Sequence, residues 1–288
     1  MATRRRLLSD RPGLCRIVNR EREVDGLRCS AEATSGSIYN ARMLAESQLE
    51  FAILQGDVLY AAYAGSGRWT DRPFTDLRSV LPLHPEIVTL VVDGTLGIER
   101  LEDLLGRRIN GGHPGSGSRS SFETMLAIFD VDADDFEQVT DLRSGALPDA
   151  ICNGRIAAFV EVVGHPSALV RTVRQRCGAQ ILPLTGPQID RMLGELPYLQ
   201  HLDIPGDLYG LPADIPSFGS HAMLATRADV GDDVVYLLTS LLLAGLDEIR
   251  KLHPTLRELD PRDIAADNLA VPLHPGAERA YREAGLLE

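Results

Sequence analysis

The feature that most restricts this chain is a repeated order of apolar run, small polar junction and helix-period segment. "RCSAEA" (28–33) reads as a strand, "TSGS" as a junction, and the residues through Tyr39, Met43 and Leu44 as a helix. "EFAILQ" (50–55), "GD" and "VLYAAYAG" repeat the order, with Gly65 as the stop. "RRIN", "GGHPGSGSRSS" (111–121) and "FETMLAIF" repeat it again, and Phe122, Met125, Leu126 and Phe129 fall on one helical face. "GRIAAFVEVV" (154–163) runs into "GHPSALVRTV", where Pro166 suits a helix's first turn. Strands alternating with helices predict an α/β fold with mainly parallel sheets, because parallel neighbours need crossovers long enough to be helices.

The remaining segments fill out that plan. "LRSVLPLHPEIVTLVVD" reads as two strands with a proline-marked break, and "IERLEDLLG" as a helix ending at Gly106. "AQILPL" and "SHAMLATR" read as strands, and residues 185–217, rich in Pro and Gly, as a connector. "DVGDDVVYLLTSLLLAGLDEIRKLHP" reads as one long amphipathic helix ended by His253-Pro254. With 288 residues and 44% hydrophobic content, two lobes with proper cores are expected.

Charge and pattern exclude several classes. A net charge of −12 argues against a nucleic-acid partner, which needs a basic surface. No run of 18 apolar residues is present to span a bilayer. "MATRRRLLSDRPG" carries the positive charges of a signal peptide but no apolar region after them, so no export signal is expected in the chain as written. The seven histidines have no close ligand spacing, and neither a metal nor a cofactor is expected. The four cysteines form no C-x-x-C, which removes zinc and thioredoxin-type readings. Four buried free thiols, or two local disulfides in an oxidising compartment, both remain open on spacing alone.

Small polar residues occupy the strand-to-helix junctions at 34–37, 55–57, 114–119 and 164–167. Helix N-termini there offer unpaired N–H groups and a partial positive charge, so the physical reading is an anion cradle. The competing reading is an ordinary N-cap, with Ser116 or Ser118 finishing its own helix. The 111–121 loop is not a P-loop, because Ser118 stands where the lysine belongs, and Ser120 replaces the third glycine of a dinucleotide fingerprint. No serine lies in G-x-S-x-G, so the hydrolase elbow is missing. A carboxylate remains a good candidate for the anion, with Arg119 as a bidentate partner or as a solvated first-turn cation. One helix terminus contributes about 0.3–2 kcal/mol, against the roughly −8 kcal/mol of a micromolar complex. Several cradles would have to converge.

"EATSGSIYNARML", "LEFAILQGDVLYAAYAG", "GGHPGSGSR", "GRIAAFVEVVGHPSALV", "DIPGDLYG" and "VPLHPGAERAYREAG" resemble, in the same order, motifs of the TAXI family of solute-binding proteins of TRAP transporters. The resemblance runs from about residue 13 to 285. It implies a two-lobed periplasmic-binding-protein-like (type II) fold, no catalysis, and delivery of a small organic anion, a dicarboxylate or an amino acid such as glutamate, to a TRAP membrane permease by a periplasmic monomer. It implies lobe 1 at 1–92 and 216–288, lobe 2 at 93–215, and hinge crossovers near 91–95 and 211–217. Such proteins begin with a strand and a Gly-rich loop; "MATRRRLLSDRP" stands in that place, so the first strand and one wall of the ligand cleft are expected to be missing. Gly56 occupies a place where the family often has serine.

Carried onto matching positions, the family's interlobe cleft implies ligand contacts from Thr34, Ser35, Gly36, Ser37, Asn40, Gln55, Asp57 and Tyr60 in one lobe. From the other it implies Gly115, Ser116, Gly117, Ser118, Arg119, Gly164, His165 and Tyr209. Each has a plainer role: Asn40 as a local cap, Asp57 as an N-cap, Tyr60 and Tyr209 as packing aromatics, His165 as a turn former. The family's cysteine spacing favours the disulfides Cys15–Cys29 and Cys152–Cys177. The rival classes are a small α/β enzyme using the 111–121 loop, for which no nucleophile–base motif is found, and an N-terminally truncated cytoplasmic sensor or non-functional copy.

Overall fold

A computed structural model of the chain describes residues 5–9, 12–21, 23, 26–257, 259–264 and 271–287. Among these, the strands are β1 (Arg5–Ser9), β2 (Arg28–Glu32), β3 (Phe51–Gln55), β4 (Leu77–Val92) and β5 (Arg108–Asn110). They continue with β6 (Gln138–Thr140), β7 (Ala158–Val163), β8 (Gln180–Leu182), β9 (Gln200–Ile204) and β10 (Ile215–Arg227). The chain divides into two compact units, residues 1–84 with 221–288, and 85–220. The division falls inside β4 and β10, so each of these strands contributes to both units.

In the first unit the strand order is β2-β1-β3-β10. β1 runs parallel to both β2 and β3, and β10 runs antiparallel to β3, with Ala222 opposite Gln55. Helices Ser37–Ala45 and Gly56–Ala64 follow β2 and β3 and bury Ala41, Leu44, Val58, Leu59 and Ala62. Helices Asp232–Ala244 and Pro275–Glu283 add Val235, Leu238, Leu242 and Tyr281 to the same core. In the second unit β7 lies between β4 (antiparallel) and β5 (parallel), with β6 beyond β5 and β8 on the other side of β4. Strand alternation there separates two cores. Val88, Leu90, Val160 and Val162 meet Phe122 and Met125 of the helix Gly117–Phe129, while Ile87, Val91 and Phe159 meet Leu147, Ile151, Val170 and Val173.

The α/β reading holds, and several details change. The sheets are mixed rather than mainly parallel, because β4 and β10 run against their neighbours β7 and β3. The first strand is present as β1, between β2 and β3; backbone pairing on both sides makes a strand of residues whose composition gives little sign of one. Residues 10–11, which follow β1 where such proteins have their Gly-rich loop, lie outside the described residues. The proline-marked break does not divide β4, whose pairing with β7 begins at Ile87, beyond Pro82 and Pro85. The helix expected to end at Gly106 is a short 3₁₀ turn, Leu101–Leu104, closed by the Asp103 carboxylate accepting the amides of Glu99 and Arg100. The 185–217 connector contains the helix Pro187–Glu195 and β9, held by buried Ile189, Met192 and Ile204. The long C-terminal helix is broken at Gly245, where a β-carbon would meet the side chain of Ile17, and resumes as Leu246–Leu252. Pro166 precedes the helix Ala168–Cys177 instead of opening it, because Ser167 is the N-cap and accepts the Val170 amide.

Of the two readings of the cysteines, the disulfides are the one the structure contains. Cys15–Cys29 ties the helix Pro12–Val18 to β2, and Cys152–Cys177 ties the ends of two helices, Leu147–Cys152 and Ala168–Cys177.

Candidate functional site

In the first unit the 34–37 and 55–57 junctions are stitched into one network. Ser37 Oγ accepts the Gln55 amide at 3.0 Å. Asn40, buried, donates from Nδ2 to the Ile53 carbonyl at 2.9 Å. Gln55 donates from Nε2 to Asp57 Oδ1 at 2.6 Å, and the same oxygen accepts the Val58 amide at 2.6 Å. Asp57 therefore lies in the first turn of its helix, beyond the cap position, where a carboxylate complements the helix dipole. Gly36 is the N-cap of the helix Ser37–Ala45, with Thr34 and Ser35 leading into it half-buried; Tyr60 is half-buried on the next helix.

In the second unit the Gly/Ser loop behaves first as a helix cap. Ser116 accepts the Arg119 amide at 3.2 Å and donates to the His113 carbonyl at 2.7 Å. Gly115 and Gly117 flank it. Gly112, at φ 87°, lets the loop backbone pass against the helix: a β-carbon there would lie 2.8 Å from the Arg119 nitrogen. The Arg119 side chain, 27% exposed, pairs with Glu123 one turn on, at 2.8 Å.

Ser118 faces inward and holds a residue that sequence reasoning missed. Its hydroxyl accepts the Val162 amide at 3.0 Å and donates to Glu161 Oε2 at 3.3 Å. Glu161, 8% exposed on β7, accepts a second hydroxyl from Ser144 on its other oxygen at 2.7 Å. Burial pushes its carboxyl pKa up, and the two hydroxyls pull against that shift. Thr89 lies directly opposite it on β4. The signal available in sequence was a single acid inside the apolar run "IAAFVEVV".

Beyond Gly164, His165 joins a second chain of bonds starting from that same Thr89. The Ser167 amide donates to the Tyr209 hydroxyl oxygen at 2.7 Å, and with the Thr89 hydrogen given to the Ile87 carbonyl, the tyrosine's own hydrogen goes to His165 Nδ1 at 2.5 Å. Nδ1 is then an acceptor, so Nε2 carries the proton and donates to Thr89 Oγ1 at 3.1 Å. Thr89 passes its own hydrogen to the Ile87 carbonyl at 3.0 Å. Burial holds the imidazole pKa down to about 4, so the ring is neutral at physiological pH, as this bonding order requires. The rings of His165 and Tyr209 also meet edge to face, with centroids 5.5 Å apart. Of the residues expected from sequence, Gln55 thus bonds directly to both Ser37 and Asp57 in the first unit, and His165 to Tyr209 in the second. Ser118 is directed to Glu161.

Among the described residues no cluster of His, Cys, Asp and Glu could hold a metal, and no helix is long and apolar enough to cross a membrane.

The model of the NMT1-like family matches residues 12–285. The fold is similar to that of MatC from Rhodopseudomonas palustris with bound malate, at 12% identity and a TM-score of 0.58, covering 99% of each chain. It is similar to PhnD1 from Prochlorococcus marinus in complex with methylphosphonate, at 10% identity and a TM-score of 0.57, covering 99% of this chain and all of that one. The periplasmic aliphatic sulphonate binding protein SsuA from Escherichia coli matches at 13% identity and a TM-score of 0.51, over 98% of this chain and 92% of that one.

Proposed function

The chain belongs to the NMT1-like family, and from that premise we propose that it is an extracytoplasmic solute receptor that binds a small organic anion and delivers it to a membrane permease. Within the family we read it as a TAXI-type receptor of a TRAP transporter, with a dicarboxylate or an amino acid such as glutamate as solute, and with no chemical step of its own.

The observation that carries this reading is the likeness of nearly the whole chain, from end to end, to binding proteins holding malate and methylphosphonate. The junction chemistry supports it. Polar groups gather after β2 and β3 in the first unit and around the start of the helix Gly117–Phe129 in the second, at strand ends and helix starts where α/β proteins collect ligands. The two disulfides suit an oxidising compartment, in keeping with a periplasmic site of action.

A thermal-shift screen of dicarboxylates, sulfonates, phosphonates and amino acids tests it. A saturable rise in Tm with one of these classes is the expected result, since a ligand that binds only the folded chain stabilises it by mass action. A flat response across all four, in protein shown to be folded, would sink the receptor reading.

A further inference from the structure

Glu161 poses a problem that the protein alone does not solve. It is a carboxylate 8% exposed, and its hydrogen-bond partners are two serine hydroxyls. A carboxylate offers about four acceptor positions, so roughly half of its capacity is unused. Among the described residues no Lys, Arg or His comes within ion-pair distance of it. Arg119, next to Ser118, is paired with Glu123, and the His165 Nε2 hydrogen is given to Thr89. Buried acids are ordinarily paired with a cation or with several strong donors. This one sits on β7 against the first turn of the helix that the Gly/Ser loop opens, where an anion receptor would be expected to present positive charge.

We propose that Glu161 is a specificity-determining acceptor that receives a protonated amino group carried by the solute. The inference rests on the receptor reading above and narrows it. The solute's acidic end is held elsewhere, and in the second unit a cationic nitrogen completes the shell that Ser118 and Ser144 leave half-filled. A solute with acidic groups alone would bring like charge to a carboxylate that has no counter-ion. The Gly117–Phe129 helix start, which by itself would attract an anion, already has Glu161 as its anion, bonded through Ser118.

Matched pairs of probes differing only in the amino group test this by calorimetry on the full chain: L-glutamate against glutarate, L-aspartate against succinate, taurine against ethanesulfonate, and 2-aminoethylphosphonate against ethylphosphonate. The expected result is that the amino member of the binding pair binds at least tenfold more tightly, and that Glu161→Gln reduces this preference to threefold or less without abolishing binding of the other member. Equal or tighter binding of the member without nitrogen overturns the inference and leaves the receptor reading standing. So does a preference that survives intact in a folded Glu161→Gln protein. Should that variant fail to fold, the wild-type ratio alone decides, in either direction. If no member of any pair binds, the receptor reading falls and takes this inference with it.

Discussion

Both units place a buried acid at a strand-to-helix junction, and they satisfy it differently. Asp57 lies in the first turn of its own helix and takes a backbone amide and a carboxamide, both at 2.6 Å. Glu161 lies on a strand and takes hydroxyls from Ser118 and Ser144, with its pKa raised by burial. An acid in the first turn is served by N–H groups that the helix must direct somewhere in any case. An acid on a strand, whose own N–H groups are spent in the ladder, depends on whatever side chains or solute come to it. The first arrangement is made within its own junction, by the helix's amide and the residue before it. The second is made by hydroxyls from two other segments, with no cation among its partners.

Several changes would break or sharpen this contrast. The largest effect belongs to the covalent frame, which both units share: replacing Cys152 and Cys177 together by alanine should cost about 3 kcal/mol, by the loop-closure argument for a bridge of this span, read as a lower urea midpoint. A midpoint that does not move would show that the bridge does not hold the second unit together. Next, Asp57→Ala strands the Gln55 carboxamide and the Val58 amide, and should cost about 2 kcal/mol of stability. Glu161→Gln removes a poorly compensated charge and should leave the solute-free protein within about 1 kcal/mol of wild type, or more stable than it. If it destabilises as much as Asp57→Ala does, the two joints are equivalent and the contrast is lost.

The pH response should separate the two titrating groups of the second unit. His165 has its folded pKa depressed to about 4 from an ordinary 6.5, so its contribution is complete above pH 6.5 and is lost as pH falls towards 4. Glu161 has a raised folded pKa, so it works the other way: stability is gained as pH falls through that raised value towards the ordinary 4.5. Glu161→Gln should therefore steepen the acid-side loss of stability seen in chemical denaturation between pH 6.5 and 4. A slope identical to wild type would mean that Glu161 titrates normally. The smallest effect is expected of Arg119→Ala, whose surface pair with Glu123 is worth about 0.3–0.5 kcal/mol. A tenfold loss of solute affinity in that variant would instead show that Arg119 leaves Glu123 to meet the solute.

Much of the architecture could be read from local pattern, because the 28–64 and 108–129 segments carry strand, junction and helix in unbroken order. What escaped depends on non-local partners. Strand direction is not written in any one strand, so the antiparallel placing of β4 and β10 could not be seen. The break at Gly245 exists because Ile17, more than two hundred residues earlier, fills the space a side chain would need. The helix Pro187–Glu195 was hidden by Pro and Gly that mark its start, while Ile189 and Met192 supply its buried face. At the site the family motifs led to Ser118, His165 and Tyr209, but the groups these bond to, Glu161 and Thr89, lie in apolar runs that read as plain core.

The Tyr209 hydroxyl has a consequence for the ring it touches. A turn 44 residues away in the chain sets which edge of the imidazole is hydrogenated. With phenylalanine at 209 that donor is lost, and only the Thr89 hydroxyl would still resist a hydrogen on Nδ1 with Nε2 turned acceptor. The threonine would then have to reverse its own hydroxyl and release the Ile87 carbonyl. One oxygen atom thus secures one end of a wire four groups long, and nitrogen chemical shifts of His165 would report the direction in which it runs.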